Sequence, residues 1–257
     1  MTLPAIIRTN NVCKQFGGLQ AVSGVSLEIP AGAITGLIGA NGAGKTTLFN
    51  IIAGLHKPTS GHIFLMDTDI TGLVPHELYA AGLLRTFQIA REFSKLTVLE
   101  NLLVAADSQL GESIINTWLA RGRVRMQEKK LRKQAAEVMD FLRLSHLAHT
   151  PAGQLSGGQK KLVELGRTMM TTPKIVLLDE VGAGVNKTLL GEIADAIARL
   201  NRERGYTFFM IEHDLDFLER LCSSVIVMAD GAVLTQGTIN EIKNNEAVIE
   251  SYLGRQG

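Results

Sequence analysis

The sequence predicts an α/β fold in which a mostly parallel sheet is interrupted by a block of helices. Three observations support this prediction: residues 6–93 are rich in strand patterns, residues 96–151 have helical patterns, and strands alternate with helices in the last third. Strands that alternate with helices usually pair in parallel. We therefore expect one domain over residues 1–257, with a helical subdomain inserted at about residues 93–165.

The composition limits the class of protein. The 257 residues, 46% hydrophobic and 20% charged, suffice for one large core or for a core with an inserted subdomain. A formal net charge of +1 does not favour a nucleic-acid-wrapping or membrane-coating protein. The sequence shows no signal-peptide pattern, no metal-ligand spacing around its two cysteines and no apolar run of membrane-spanning length. We expect a cytoplasmic protein with free thiols.

The strand-rich first part leads into a glycine-rich turn. The patterns "AIIRTNNVCKQF" and "VSLEI" predict strands, and "AITGLIG" is a short apolar strand that enters the turn. The helical pattern "KTTLFNIIAGL" follows, and Gly54 and Pro58 mark its end. The turn therefore lies between a strand and a helix.

The turn sequence "GANGAGKT" fits the phosphate-binding pattern G-x-x-x-x-G-K-[ST]. Its backbone N–H groups and the helix N-terminus can bind phosphate oxygens, Lys45 can reach the outer phosphates, and the Thr46 hydroxyl can ligate Mg²⁺. A glycine-rich turn that binds nothing is the alternative, and the lysine and threonine together argue against it. We expect the following residues to bind the nucleotide: Gly39, Ala40, Asn41, Gly42, Ala43, Gly44, Lys45, Thr46 and Thr47.

The middle of the chain is helical. Thr97 and Glu100 form a capping-box pattern before "NLLVAA", and a long helical pattern, "NTWLARGRVRMQEKKLRKQAAEVMDFLRL", follows. Residues 121–133 hold seven Lys or Arg against one Glu, without interleaved aromatics. This pattern favours a solvated helix face over a nucleic-acid stripe.

The stretch "QLSGGQKK" resembles a second phosphate-binding turn, because Ser156 and two glycines begin a run with helical periodicity. A helix N-terminus capped by serine is the alternative, but it accounts for Ser156 and not for the glycine pair.

Strands and helices alternate after this turn: "KIVLLD", "LLGEIADAIARLNRERG", "YTFFMI", "LDFLERLC" and "SVIVMA". The first strand ends in two acids. Asp179 is expected at the carboxyl edge of the sheet near the metal, and Glu180 can serve as the base for a water that attacks a γ-phosphate. Taken alone, two acids at a strand end are more often part of the surface.

With "LSGGQ" between the phosphate turn and the two acids, the sequence resembles the nucleotide-binding subunits of ABC transporters over essentially the whole chain. The resemblance implies the ABC ATPase fold: a P-loop NTPase core with a mostly parallel sheet, an inserted helical subdomain and an N-terminal antiparallel β region. It also implies ATP and Mg²⁺ as cofactors.

The resemblance assigns roles to three further residues. Phe16 matches the aromatic residue that stacks on adenine, Gln88 matches the glutamine that touches Mg²⁺ and the attacking water, and His213 matches the switch histidine that contacts the γ-phosphate. Alternatives are a buried strand aromatic for Phe16 and a structural strand-end histidine for His213.

In this family two subunits face each other head to tail, so the resemblance explains why one chain has two phosphate-binding turns. It implies that Ser156, Gly157, Gly158 and Gln159 bind the ATP held by the partner. The implied partners are a second cassette, identical or related, integral membrane permease subunits that dock near residues 88–96, and indirectly a solute-binding protein, without nucleic acid. The implied location is the cytoplasmic side of the inner or plasma membrane.

Softer features are similar to subunits of branched-chain or other hydrophobic amino acid importers: "FGGLQAV", "RTFQIAREFSKLTVLENLLVA", "AGVN" and "IEHDLDFL". Three residues depart from that pattern, since Val181 and Lys187 replace prolines and Asn186 stands where most ABC proteins have aspartate. A subunit for another small solute, a lipid or lipopolysaccharide exporter subunit, and a nucleic-acid-associated ABC ATPase are the alternatives. A P-loop switch or kinase outside this family would not need "LSGGQ".

Overall fold

The computed structural model describes residues 4–86, 92–107, 109 and 121–253. The chain divides into two compact units. Unit 1 comprises Met1–Gln88, Pro173–Ala183 and Ile197–Gly257, and unit 2 comprises Ile89–Thr172 and Gly184–Ala196.

The strands of the described residues belong to unit 1. They are β1 (Ala5–Phe16), β2 (Leu19–Pro30), β3 (Ile34–Ile38), β4 (Ser60–Leu65), β5 (Thr68–Asp69), β6 (Leu83–Arg85), β7 (Ile175–Asp179), β8 (Thr207–Ile211), β9 (Ser224–Ala229) and β10 (Ala232–Gly237). The α-helices are α1 (Lys45–Ile52), α2 (Pro75–Ala81), α3 (Val98–Val104), α4 (Arg121–Phe141), α5 (Gly157–Met169), α6 (Lys187–Arg204), α7 (Leu215–Leu221), α8 (Ile239–Lys243) and α9 (Glu246–Leu253).

The larger sheet of unit 1 is mostly parallel, with the order β10-β9-β3-β8-β7-β6. Its pairs are parallel except that β10 runs antiparallel to β9. Every residue of β3, β7 and β8 is buried, as expected for apolar strands of a parallel sheet covered on both faces. The carboxyl ends of these strands meet at one edge, so the phosphate turn after β3 and the acids at the end of β7 lie at the same edge. The predicted α/β class is confirmed.

The smaller sheet contains the N-terminal strands in the order β2-β1-β4-β5, and all of its pairs are antiparallel. The hairpin between β1 and β2 pairs Phe16 with Leu19 at its tip. Phe49 of α1 packs on Phe209 of β8 with ring centroids 4.8 Å apart, in the buried core of unit 1. The N-terminal antiparallel region is therefore confirmed.

Unit 2 is built from α3, α4, α5 and the start of α6, with short 3₁₀ turns at Ser145–Leu147 and Ala152–Gln154. The predicted capping box is present: Glu100 N donates to Thr97 Oγ1 at 3.2 Å, and Thr97 N donates to Glu100 Oε2 at 2.8 Å. Asn101 is fully buried, and its amide group donates to the carbonyl oxygens of Phe93, Leu96 and Thr97. These bonds satisfy a buried polar group and fix the chain before α3.

Some predicted boundaries differ from the structure. The long helix predicted over residues 116–144 ends at Phe141, because Arg143 adopts a φ of 57° that no right-handed helix can contain. Residues 116–120 of that prediction lie outside the described residues. Over the described ranges, no helix has the length and apolar character that crossing a membrane requires.

Candidate functional site

The phosphate turn, residues 39–47, joins the central strand β3 to α1. Gly44 precedes α1 with a φ of 94°, and a Cβ atom there would lie 2.5 Å from the Ala21 carbonyl oxygen. Only glycine fits this position. Because glycine has no side chain that could cap the helix, the first N–H groups of α1 are available to an anion.

Lys45 points back into the phosphate turn. Its ammonium group donates to the carbonyl oxygens of Gly39 at 2.6 Å and Ala40 at 3.0 Å, and the residue is only 6% exposed. Burial lowers the pKa of Lys45, while the nearby Glu180 carboxylate acts in the opposite direction and raises it. A positive charge is thus held where the motif places the outer phosphates.

Asp179, the last residue of β7, is buried and forms an ion pair that the sequence did not predict. Its Oδ2 lies 2.7 Å from Arg85 Nη2, and Arg85 Nη1 donates to Asn50 Oδ1 of α1 at 2.6 Å. The pair is at least 86% buried on each side, so the guanidinium orients the carboxylate and ties β7 to α1. An arginine in an otherwise apolar stretch, "GLLRTF", was the signal that could have revealed it.

Glu180 and His213, which follow neighbouring strands, meet in the structure. Glu180 Oε1 lies 3.0 Å from His213 Nε2, and Glu180 N donates to the Ile211 carbonyl oxygen at 2.9 Å. Glu180 has a φ of 48°, a left-handed conformation that is uncommon outside glycine and often occurs at functional sites. Glu212 accepts a hydrogen bond from Gly182 N at 2.8 Å and holds the loop after the two acids.

Phe16 is 43% exposed, which disagrees with the alternative of a buried strand aromatic. The His56 ring packs nearly perpendicular to it with centroids 5.4 Å apart, and Lys14 Nζ lies 4.9 Å from the Phe16 ring centroid. These contacts orient the ring and leave part of its surface open to a planar ligand.

The second turn, residues 156–159, begins α5 in unit 2. Gln159 N donates to Ser156 Oγ at 3.3 Å, and Ser156 N donates to Gln159 Oε1 at 3.0 Å. The serine is therefore a helix cap, as its alternative interpretation predicted. A Cβ atom at Gly158 would overlap the Leu189 side chain, whereas one at Gly157 would have no heavy atom of the described residues within 4 Å. Packing explains Gly158, but nothing described within the chain requires Gly157 to be glycine.

A cavity of about 420 Å³, with both polar and apolar lining residues, lies beside the second turn within unit 2. It is lined by residues that include Ser156, Gln159, Asn186, Thr188 and Leu189. Asn186 Oδ1 accepts from Leu189 N at 2.9 Å, so this residue caps α6 in the role that aspartate also fills, and Lys187 is the first residue of the helix. Asn186 and Lys187, two of the three residues that depart from the family pattern, thus lie at the capped N-terminus of α6.

Helix α5 contacts residues 92 and 93, which belong to the predicted docking stretch, residues 88–96. Lys160 Nζ lies 2.7 Å from Glu92 Oε1, and the Arg167 guanidinium lies 5.2 Å from the Phe93 ring centroid. Burial raises the pKa of Glu92, but the hydrogen bond and charge of Lys160 outweigh it, so the pKa is lowered. Movement of α5 would therefore displace residues 92 and 93 as well.

Two predicted metal contacts can be located. Thr46 is exposed in the first turn of α1, and Asp179 ends β7, while Gln88 lies outside the described residues together with residues 87 and 89–91. The described part of the chain contains no group of three or more His, Cys, Asp or Glu that could hold a metal ion. This donor set fits Mg²⁺ bound mainly through nucleotide phosphates and water, which need few protein ligands.

Comparisons with known proteins agree with this geometry. Residues 22–183 match the ABC transporter family. The chain is 41% identical to a probable branched-chain amino acid transport ATP-binding protein LivG of Methanocaldococcus jannaschii, over 97% of both chains. It is 37% identical to a crystallised ATP-binding cassette in its ADP conformation, with a TM-score of 0.82 over 98% of this chain and 99% of that one. A dimeric cassette structure with ADP and Pi is 26% identical, with a TM-score of 0.72 over 91% and 98%. The chain therefore belongs to the ABC transporter family, as one of its ATP-binding cassettes.

Proposed function

We propose that this chain is the ATP-hydrolysing subunit of an importer for branched-chain or related hydrophobic amino acids and that it drives a separate membrane permease. The observation that carries hydrolysis is the contact of 3.0 Å between Glu180 and His213 in the unit that contains the phosphate turn. The LivG relative, 41% identical over 97% of both chains, supports the cargo class. In this proposal the chain is one cassette domain with its helical subdomain at about residues 93–165.

Nucleotide binding follows from unit 1. Phe16 stacks on adenine through the open part of its ring, and the first N–H groups of α1 bind the phosphates. Lys45 exchanges its contacts with the Gly39 and Ala40 carbonyl oxygens for phosphate oxygens, which a lysine held in place can do without a large movement. Thr46, Asp179 and Gln88 would hold Mg²⁺, which neutralises phosphate charge when bound.

Hydrolysis uses Glu180 and His213, which contact each other in unit 1. Glu180 takes the proton from the attacking water as general base. His213 holds this carboxylate through its 3.0 Å contact and reaches the γ-phosphate when nucleotide is present. Gln88 orients the water. Glu180, His213 and Gln88 all act at the γ-phosphate, so hydrolysis requires the ATP-bound state.

The second turn completes the site of a partner cassette. In this proposal, uncharged groups of the second turn donate hydrogen bonds to the phosphates that the partner holds; the residues are Ser156, Gly157, Gly158 and Gln159. The cavity beside the turn leaves room for these phosphates to approach. The dimeric cassette with ADP and Pi supports this arrangement. The partner is a second copy or a related cassette, and the pair docks on permease subunits at the cytoplasmic side of the membrane through residues near 88–96. A solute-binding protein would deliver the cargo.

Co-purification and transport test the proposal together. A tagged chain isolated from native membranes should bring polytopic permease subunits, and proteoliposomes with the complex and its solute-binding protein should take up labelled leucine or valine when ATP is enclosed. Lys45→Ala is the control for ATP dependence. Recovery of nucleic acid or ribosomes in place of permease subunits would contradict the proposal, and uptake of a different solute alone would correct the cargo.

A further inference from the structure

The exposed side of α4 carries a dense positive charge. Residues 121–133 contain seven Lys or Arg and one Glu, whereas the whole chain has a formal net charge of +1, so the remainder is net acidic. We call the seven cations the basic face. They are Arg121, Arg123, Arg125, Lys129, Lys130, Arg132 and Lys133, and all of them are exposed. Such charge asymmetry is typical of a surface that meets a polyanion.

The packing of α4 determines which side faces outward. Ala135, Val138 and Met139 are buried on the opposite side, and Gln134 Nε2 lies 3.3 Å from the Met169 carbonyl oxygen. These contacts prevent rotation about the helix axis. Arg125, Lys129 and Lys133, spaced four residues apart, therefore form one line along the exposed side of the helix.

Few anions of the described residues neutralise the basic face. Over the described ranges, Lys133 is the one member with an ion pair, at 3.9 Å from Glu137, and both side chains are more than half exposed. Like charges four residues apart destabilise a helix slightly, so the line of three cations brings no local stability. Met126, 70% exposed, adds an apolar side chain on the same exposed side.

We propose that the basic face of α4 binds the anionic phospholipid surface next to the permease. This inference rests on the proposed function, which brings the chain to the cytoplasmic side of a membrane. Each Lys or Arg close to an anionic bilayer adds about a factor of five to binding, and the attraction fades within roughly 8 Å of the surface at physiological salt. Seven cations on one helix suffice for this without a membrane-spanning segment. The absence of aromatic residues from residues 121–133 favours lipid over single-stranded nucleic acid, whose bases stack on aromatic rings.

Vesicle sedimentation with the full-length purified chain tests the proposal. Wild type should bind vesicles that contain phosphatidylglycerol, bind phosphatidylcholine vesicles poorly, and dissociate at high salt. The triple variant Arg125→Glu, Lys129→Glu, Lys133→Glu should bind anionic vesicles at least about a hundredfold more weakly, since three contributions of about fivefold are lost and three repelling anions are added. The matched control Arg199→Glu, Arg202→Glu, Arg204→Glu makes the same charge change on α6 and should retain most of the binding.

Three results would overturn the proposal: no binding of wild type to anionic vesicles, an equal loss in the control, or tighter binding to duplex DNA than to vesicles at the same salt. Circular dichroism melts establish that both triple variants are folded. ATP hydrolysis, measured on the same samples, separates the two proposals. The basic-face variant should keep wild-type ATPase activity, and a wild type that binds lipid but never hydrolyses ATP would refute the proposed function alone.

Discussion

The phosphate turn in unit 1 and the second turn in unit 2 both place glycines at the start of a helix, yet they are built differently. In the phosphate turn the chain itself demands glycine, because Gly44 has a φ of 94° and lies against the Ala21 carbonyl oxygen. In the second turn Ser156 and Gln159 cap each other, and a Cβ atom added at Gly157 would have no heavy atom of the described residues within 4 Å. The first turn is therefore explained by its own unit, whereas the described residues give no reason for a glycine at position 157.

The proposed hydrolytic residues, Glu180 and His213, lie in the same unit as the phosphate turn, and Glu180→Gln is the variant with the largest expected effect. The amide cannot accept the proton of the attacking water, so steady-state phosphate release should fall by roughly 10² to 10⁴ while ATP binding persists. Glu203→Gln, an exposed change on α6, is the control and should be neutral. Wild-type turnover in the Glu180 variant would remove this residue from the mechanism.

Mixed dimers test whether the second turn serves another chain. Lys45→Ala damages the phosphate turn and Ser156→Arg damages the second turn, so each variant alone should be nearly inactive. In a mixed dimer both defects fall on one composite site and the other site is intact, so up to about half of the wild-type activity should return. Differently tagged chains allow the mixed dimer to be purified before ATP hydrolysis is measured.

If each second turn served its own chain, no mixture could repair either site. A properly formed mixed dimer that is no more active than its parents would therefore refute the assignment. Where the native partner is a related cassette, the change equivalent to Ser156→Arg is made in the second turn of that partner.

Alanine substitutions at Gly44 and Gly157 compare how far each turn depends on its glycine for stability. Gly44→Ala should lower the free energy of unfolding by about 1–3 kcal/mol, because alanine is strained at positive φ and its methyl group overlaps the Ala21 carbonyl oxygen. Gly157→Ala should change it by no more than about 0.5 kcal/mol, yet reduce ATP hydrolysis by the dimer. Urea unfolding and phosphate release measure the two effects. A Gly157→Ala variant with full activity would show that this glycine is not needed to bind the partner's ATP.

The smallest expected effect concerns the start of α6, beside the second turn. Position 187 is the first residue of the helix, where proline is favoured because the N–H group has no helical acceptor. Lys187→Pro should stabilise the protein by about 0.5 kcal/mol by restricting the unfolded chain. Lys187→Ala controls for the loss of the charge. A destabilised proline variant would show that this N–H group or the preceding conformation is needed.

Local patterns predicted the fold class and the residues of both turns, since a strand, a glycine turn and a helix are consecutive in sequence. The contact between Glu180 and His213 depends on the pairing of β7 with β8, which neither periodicity nor the resemblance predicted. The Arg85–Asp179 pair was missed because β6 has only three residues and no recognisable pattern. The insertion boundaries and the roles of the site residues remain predictions.

Gly158 has a packing role that the motif alone does not reveal. The glycine pair seemed to need one common explanation, but the overlap with Leu189 explains the second glycine by packing within unit 2. That contact joins residues 158 and 189, far apart in the chain, and no local pattern reveals it. Short elements such as α2, β5 and α8 were not predicted because so few residues establish no period.

The position of β3 has a consequence for how the protein is made. Both neighbours of this central strand, β8 and β9, come from the last quarter of the chain. At about 5–20 residues per second, a ribosome needs on the order of ten seconds or more after the phosphate turn before these strands emerge. Until then β3 has unpaired edges, and Gly39 lacks the Met228 carbonyl against which it packs. A nascent or truncated chain that ends before β8 should therefore be a client for chaperones, and it cannot sequester ATP prematurely.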